Sequence, residues 1–157
     1  MNEQDIKHLT AAIEVARNAR LHGNHPFGAI LVDGLGNEVL RAENSVVTGH
    51  DVTNHAETNL VRLASGMFTA QELAECTLYT STEPCAMCSG AIHWSRIGRV
   101  VYALSEEGLY DITGPSPENL LLPCREVFRH SGKPVRVEGP CDELEAEARA
   151  VHAGFWR

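Results

Sequence analysis

Two short segments about thirty residues apart constrain this chain most, because their residue types require them to meet in the folded protein. The first is His55-Ala56-Glu57, and the second is Pro84-Cys85-Ala86-Met87-Cys88. Zinc prefers nitrogen and thiolate ligands in a tetrahedron, and a catalytic site keeps one of the four positions for water. His55, Cys85 and Cys88 supply three such ligands, so the sequence predicts one zinc ion per chain.

The spacing within each segment predicts where that ion lies. Cys85 and Cys88 are three residues apart on a predicted helix and can face the same point. Glu57 lies about 200° around a helix from His55, so both can approach one metal only beyond the N-terminal end of that helix. Two positive helix ends would then face the metal and stabilise the thiolates. Glu57 would lie near the metal-bound water without being a ligand.

This set of residues fits hydrolytic removal of an amino group from a ring. Zinc activates a water molecule near neutral pH, and a carboxylate must carry protons to the ring nitrogen and to the departing ammonia. Glu57 is the candidate for that proton transfer. The pattern H-x-E followed by P-C-x-x-C is the signature of zinc-dependent deaminases.

Two other interpretations of the cysteine pair stay open on the residues alone. A Cys-x-x-Cys pair in an α/β protein is also typical of thioredoxin-like redox sites, although such a site needs no upstream His-x-Glu. A structural zinc site would need a fourth ligand, for which the candidates are His50, His93, Cys76 and Cys124. His93 lies five residues beyond Cys88 and is predicted to face elsewhere.

Apolar periodicity and turn residues predict strands alternating with helices. Helices are predicted at residues 3–22, 55–64, 69–72, 85–95, 121–129 and 142–155. Strands are predicted at residues 27–32, 38–42, 76–81, 99–103 and 135–138, with loops at 44–54 and, for the most part, at 105–123. This order implies a central sheet covered on both faces, in one α/β domain spanning residues 1–157.

The composition excludes several classes of protein. The net charge of −8 and the lack of a Lys/Arg cluster disfavour a long nucleic-acid partner. Five cysteines, an odd number, argue against a disulfide framework. No apolar run approaches the roughly 18 residues of a membrane span, and the first residues, MNEQDIKHLTAAIEVA, do not resemble a signal peptide. We therefore expect a cytoplasmic protein that does not enter a membrane.

Four segments resemble the cytidine and deoxycytidylate deaminase superfamily, in the branch of guanine deaminases, cytosine deaminases and tRNA adenosine deaminases. They are Pro26-Phe27-Gly28-Ala29, Asn44, Asp51 to Glu57 (DVTNHAE), and Leu78 to Val101 (LYTSTEPCAMCSGAIHWSRIGRVV). The resemblance covers about residues 5 to 104. It implies a three-layer α/β/α fold with a five-stranded mixed sheet, assembled as a homodimer or a tetramer.

The resemblance also implies roles for single residues around the substrate. His55, Cys85 and Cys88 would hold zinc, and Glu57 would move protons. Substrate contacts are implied for an amide, a backbone N–H and several rings: Asn44, Ala56, Phe27, Trp94 and, near the chain end, Trp156. Asp111, with Glu106 and Glu107, is a candidate for an acidic group near the substrate.

The substrate that these motifs favour is a small nucleobase or nucleoside. The segments PFGA and GAIHW resemble guanine deaminases, which places guanine first. The segment SRIGRVV resembles tRNA adenosine deaminases, although the acidic composition disfavours that role. Alternatives are therefore a tRNA-specific adenosine deaminase, a cytosine or cytidine deaminase, and a non-catalytic scaffold stabilised by zinc.

Overall fold

A five-stranded mixed sheet forms the centre of the computed structural model, which describes residues 1–156. Its strands are β1 (Gly28–Val32), β2 (Glu38–Glu43), β3 (Thr77–Thr82), β4 (Arg99–Leu104) and β5 (Arg136–Glu138). They lie in the order β2-β1-β3-β4-β5, with β1 antiparallel to β2 and β3. The β3–β4 and β4–β5 pairs are parallel. The expected mixed five-stranded sheet is confirmed.

Helices cover both faces of the sheet. They are α1 (Glu3–Leu21), α2 (Val46–Gly49), α3 (Ala56–Met67), α4 (Ala70–Ala74), α5 (Ala86–Ser95), α6 (Glu106–Thr113), α7 (Cys124–Arg129) and α8 (Glu145–Ala150), with a 3₁₀ turn at Asp142–Leu144. Alternate residues of β1 enter different cores, because side chains of a strand point to opposite faces. Ile30 belongs to the core that includes residues of α1 and α8, whereas Leu31 belongs to the core that includes residues of α3, α5 and α7. The expected α/β/α layering is confirmed.

Local capping fixes where several helices begin. Asn2 and Asp5 form reciprocal hydrogen bonds at the start of α1, and Thr69 and Glu72 do the same at the start of α4. Such bonds satisfy backbone N–H groups that the first helical turn leaves without partners. The Thr69–Glu72 spacing had predicted this helical turn.

Gly28 allows α1 to lie directly on β1. A Cβ at this position would lie 2.4 Å from the backbone nitrogen of Ala16 and 2.6 Å from the carbonyl oxygen of Ala12. Only glycine permits this approach. The Pro26-Phe27-Gly28-Ala29 motif therefore contains a packing requirement as well as residues near the site.

Residues 105–123 are mostly loop, as predicted, but Glu106–Thr113 form the helix α6, which the sequence did not predict. The residue before α6, its N-cap Ser105, accepts a hydrogen bond from the Gly108 N–H at 2.9 Å. The prolines at 115, 117 and 123 all follow the end of α6 and therefore do not interrupt it.

Two other predicted segments differ in part from the structure. The predicted loop 44–54 contains α2. The predicted helix 142–155 begins as a 3₁₀ turn and ends at Ala150, and residues 151–155 form turns in which Gly154 has a positive φ of 71°. A left-handed residue of this kind does not continue a right-handed helix. None of the helices in residues 1–156 has the length and apolarity needed to cross a bilayer.

Candidate active site and metal centre

The three predicted metal ligands lie together at the N-terminal ends of two helices. His55 is the N-cap of α3 and Cys85 is the N-cap of α5, with Cys88 in the first turn of the same helix. One ligand atom from each of the three lies within 4.8 Å of the other two. His55 Nδ1 and Cys85 Sγ are 3.6 Å apart. The site therefore lies beyond the helix ends, as the spacing of His55 and Glu57 predicts.

The donor set fits zinc. An imidazole and two thiols are ligands that zinc prefers, and three protein ligands leave a fourth position open. The hydrogen bond with Cys88, together with His55, lowers the pKa of Cys85 to about 4, so one thiolate forms readily. The contact with Cys85 raises the pKa of His55. A bound cation would replace the protons that these groups share.

Glu57 lies beside this cluster and is almost completely buried, with 6% of its surface exposed. Burial raises the pKa of Glu57 to about 7, and the nearby Cys85 thiolate adds to that effect. A carboxylic group of this kind can hold or release a proton near neutral pH, which a proton-transfer group requires.

A cavity of about 600 Å³ opens next to the cluster. Its metal side is lined by His55, Glu57 and Cys85. The rest of the wall comes from α6, from the loop after it, and from other side-chain rings: Glu106, Leu109, Tyr110, Thr113, Pro115, Ser116, Glu118, Asn119, His25, Phe27 and Trp156. Thr82 lines the cavity as well. The Oγ1 atoms of Thr82 and Thr113 are buried and have no hydrogen-bond partner among the described residues. The cavity thus offers polar groups that a ligand could satisfy.

The Asn44 side chain has one polar atom that supports the local fold and another that has no partner within residues 1–156. Its Oδ1 accepts a hydrogen bond from the Val46 N–H at 3.0 Å, which supports the start of α2. Its backbone N–H donates to the Phe27 carbonyl oxygen at 3.0 Å. The side chain is 1% exposed and lines the cavity, and its Nδ2 donates no hydrogen bond within residues 1–156. The capping role that a loop asparagine usually has is therefore present, and the amide N–H groups remain available.

Ala56, Phe27 and Trp156 also lie near the cavity. Ala56 is the first residue of α3, so its N–H belongs to the first turn, where a helix offers no acceptor. The rings of Phe27 and Trp156 both line the cavity, with centroids 6.0 Å apart.

Trp94 and Asp111 do not line this cavity. Trp94 is 80% exposed near the end of α5 and packs against His93. It lies about 13 Å along the helix axis from Cys85 and on the opposite side of the helix. Asp111 is exposed and lies 3.9 Å from Arg149. Their contacts with a substrate stay predictions.

Sequence reasoning did not find two residues that build the cavity wall. Glu83 binds two helix starts, because its Oε1 accepts from the Glu106 N–H at 2.9 Å and its Oε2 from the Cys124 N–H at 2.8 Å. Its position two residues before Cys85 was the sequence signal that could have placed Glu83 at the site. Tyr110 binds both the N–H and the carbonyl oxygen of Leu120 through its hydroxyl group. No spacing motif marks that contact.

The alternative fourth ligands lie apart from the cluster. Within residues 1–156, His55, Cys85 and Cys88 form the one group of three or more metal-binding side chains. His93 Nδ1 lies 2.8 Å from the Ser131 hydroxyl group, away from the cysteines, as predicted.

Comparisons with known proteins agree with this geometry. Residues 2–104 match the model of the cytidine and deoxycytidylate deaminase zinc-binding region. A probable cytosine deaminase of Schizosaccharomyces pombe is 46% identical over 99% of this chain and 94% of its own length. The guanine deaminase of Bacillus subtilis is 45% identical over 55% of this chain and 53% of its own. The solved guanine deaminase of Nitrosomonas europaea superposes with a TM-score of 0.71 at 27% identity, covering 93% of this chain and 83% of its own.

Proposed function

The chain belongs to the cytidine and deoxycytidylate deaminase family, and from this premise we propose that it is a zinc-dependent aminohydrolase of a small free nucleobase. The observation that carries the proposal is the buried Glu57 carboxyl group, which lies beside the His55, Cys85 and Cys88 cluster in the wall of a cavity of about 600 Å³.

His55, Cys85 and Cys88 would hold the zinc ion, which when bound supplies an activated water as the nucleophile. Glu57 would accept a proton from that water and deliver it to the ring nitrogen beside the carbon that carries the amino group. Once the oxygen has bonded to that carbon, Glu57 would take its remaining proton and deliver it to the departing amine, so that the C–N bond breaks. The ring then carries an oxygen in place of the amino group, and ammonia leaves.

The substrate ring would be oriented by Asn44 and by the backbone N–H of Ala56. Asn44 lines the same cavity as His55, and Ala56 follows His55 directly in the chain. The Asn44 Nδ2 group has no partner within residues 1–156. Phe27 and Trp156 offer aromatic faces in the same cavity. Aromatic faces of this kind favour a flat ring between them.

Cytosine is the substrate that we place first. Much of the cavity wall comes from residues 106–119 and Trp156. The similarity to the S. pombe protein spans 99% of the chain and so includes those residues, whereas the similarity to the B. subtilis guanine deaminase covers 55%. Guanine, which the motifs alone favour, is the second candidate because of the PFGA and GAIHW segments.

The two remaining candidates predict different behaviour. A tRNA adenosine deaminase would act on a folded anticodon stem-loop, for which the net charge of −8 is unfavourable. A non-catalytic scaffold would retain zinc and would be indifferent to the loss of the Glu57 carboxylate.

The test is ammonia release by the zinc-loaded protein on cytosine, guanine, adenine, their nucleosides and an anticodon stem-loop. Turnover of cytosine or guanine supports the proposal, and turnover of the stem-loop alone would replace it with the tRNA function. If the zinc-bound protein released no ammonia from any of these substrates, the result would favour the non-catalytic scaffold. Two further parts of the proposal have tests of their own. Light scattering would test whether the protein forms a homodimer, and coincident unfolding transitions by different probes would test whether residues 1–157 fold as one domain.

A further inference from the structure

A buried histidine, His152, accepts a hydrogen bond from a tryptophan of the cavity wall. Trp156 donates a hydrogen bond from Nε1 to Nδ1 of His152 at 3.0 Å. The two rings are nearly parallel, at 20°, with centroids 6.2 Å apart. Trp156 lines the cavity, but His152 does not.

The hydrogen bond fixes the protonation state of His152. An indole N–H can only donate, so Nδ1 must carry no proton, and the proton of the neutral ring is on Nε2. His152 is 1% exposed, and its Nε2 is buried without a partner among the described residues. Burial, with the Arg20 charge nearby, lowers the pKa of His152 to about 4, which agrees with a neutral ring.

The backbone on both sides of His152 is held by α1. Arg20 donates from Nη1 to the carbonyl oxygens of Val151, at 2.9 Å, and Ala153, at 2.7 Å. The Arg20 guanidinium also lies over the Phe155 ring, 5.4 Å from its centroid. The imidazole is therefore anchored, and an anchored acceptor can restrict the rotation of the indole that binds it.

Trp156 in turn contacts two other side chains of the cavity wall. Its ring lies 5.4 Å from the His25 ring and 6.0 Å from the Phe27 ring. His152 also packs edge-on against Phe27, with centroids 5.3 Å apart. One hydrogen bond thus connects His152 to the ring that contacts both His25 and Phe27 in the cavity wall.

We propose that His152 is a positioning residue for substrate binding: its Nδ1 atom holds the Trp156 indole against the cavity and thereby sets the affinity for the free base. This inference rests on the proposed function. The hydrogen bond involves no ligand, so the bond itself can be tested on the free protein.

The test uses fluorescence and kinetics on the zinc-loaded protein. For the kinetics, each substitution is made with Trp94 intact and compared with the wild type. The chain has two tryptophans, so for the fluorescence Trp94→Phe leaves Trp156 as the one indole and serves as the reference. In both backgrounds, His152→Phe removes the acceptor but keeps an aromatic ring, whereas His152→Gln retains a side-chain oxygen that can accept. His8→Phe is the matched control, since His8 is also buried but packs on Tyr79.

For His152→Phe we expect at least a twofold rise in acrylamide quenching of Trp156. We also expect a KM for cytosine or guanine raised about threefold to tenfold, the range for one lost hydrogen bond, with kcat within about threefold. His152→Gln should recover most of both changes, and His8→Phe should show neither. Trp156→Phe, which removes the indole donor, should raise KM about as much as His152→Phe, and the double variant should add little.

Unchanged quenching and KM in a folded, zinc-loaded His152→Phe protein would overturn the proposal. A loss of kcat and zinc together, not recovered by glutamine, would also overturn it and indicate a general structural role. If quenching rises and glutamine reverses it while no variant turns over either base, the positioning of Trp156 is supported and the proposed function has failed.

Discussion

The hydroxyl oxygen of Thr58 lies 3.2 Å from the sulfur of Cys88, and this contact joins α3 to α5 directly beneath the metal cluster. Thr58 is one helical turn beyond His55, so the helix that presents the imidazole also supports a thiol of the second helix. A thiolate accepts hydrogen bonds and donates none, so the hydroxyl group would donate once the thiol has lost its proton.

Thr58→Val should therefore weaken zinc binding without removing a ligand. Groups that hydrogen-bond to metal ligands typically contribute tenfold to a hundredfold in affinity, so we expect about a tenfold loss. Competition with a chromogenic chelator measures it. Thr58→Ser keeps the hydroxyl group and should bind zinc like the wild type, and equal zinc affinity in the valine variant would contradict the role of this contact.

Glu57→Gln should abolish most turnover and leave zinc in place. The amide has the shape of the carboxyl group but cannot carry protons, so kcat should fall by about a hundredfold to ten-thousandfold. Zinc content by atomic absorption and ammonia release would be measured on the same sample. Glu147→Gln, which alters an exposed carboxylate on α8, is the control. Substantial activity in Glu57→Gln would rule out the proton-transfer role.

The metal cluster could be predicted from the sequence because its geometry is local. Cys85 and Cys88 are on one helical turn, and His55 and Glu57 are at one helix start, so spacing alone limits where a shared metal can lie. The fold class followed from the alternation of strands and helices for the same reason.

The cavity wall could not be predicted in this way, because long-range contacts place it. Glu83 belongs to the cavity only since it binds the starts of α6 and α7, which lie 23 and 41 residues further along the chain. The α6 helix itself was missed because the prolines that follow it suggested a loop. Trp94, which the resemblance places at the substrate, lies on the far side of α5.

Asp5→Asn should destabilise the fold in a pH-dependent way. Asp5 is buried and accepts hydrogen bonds from the Tyr79 hydroxyl group at 2.7 Å and from two nitrogens of Arg99 at 3.0 Å. Burial alone would raise the pKa of Asp5, but these bonds outweigh it and lower the pKa to about 2. The asparagine variant loses the carboxylate whose pKa is lowered from 3.8 to about 2, while Arg99 keeps Glu138 as a partner. We therefore expect a loss of about 2–3 kcal/mol in the free energy of unfolding at pH 7.

The sign of the pH dependence follows from the lowered pKa of Asp5. The stabilisation is fully present above the ordinary pKa of 3.8 and is lost as the pH falls towards 2. The difference between wild type and Asp5→Asn in urea unfolding should thus be constant from pH 7 to about 5 and should shrink below 4. Glu3→Gln, at an exposed position of the same helical turn, should show no such difference. A difference that stays constant down to pH 2 would contradict this assignment.

Glu83→Gln should loosen the cavity wall while the metal site remains intact. Both carboxylate oxygens of Glu83 accept a backbone N–H, one at the start of α6 and one at the start of α7. Glutamine has one acceptor oxygen, and its amide group would face the second N–H donor, which would then be buried without a partner. Such a group costs about 1–3 kcal/mol, so α6, which carries Glu106 and Tyr110 into the cavity, should be less firmly held.

We therefore expect the KM for the base to rise about tenfold in Glu83→Gln, with a smaller change in kcat and full zinc content. Hydrogen exchange at the amides of Glu106 and Cys124 should accelerate, and this measurement does not depend on activity. Glu107→Gln, which changes an exposed neighbouring carboxylate outside the cavity, is the matched control. If both amides exchange as slowly as in the wild type, the carboxylate of Glu83 does not hold the wall. If they exchange faster but KM is unchanged, α6 does not contribute to binding the base.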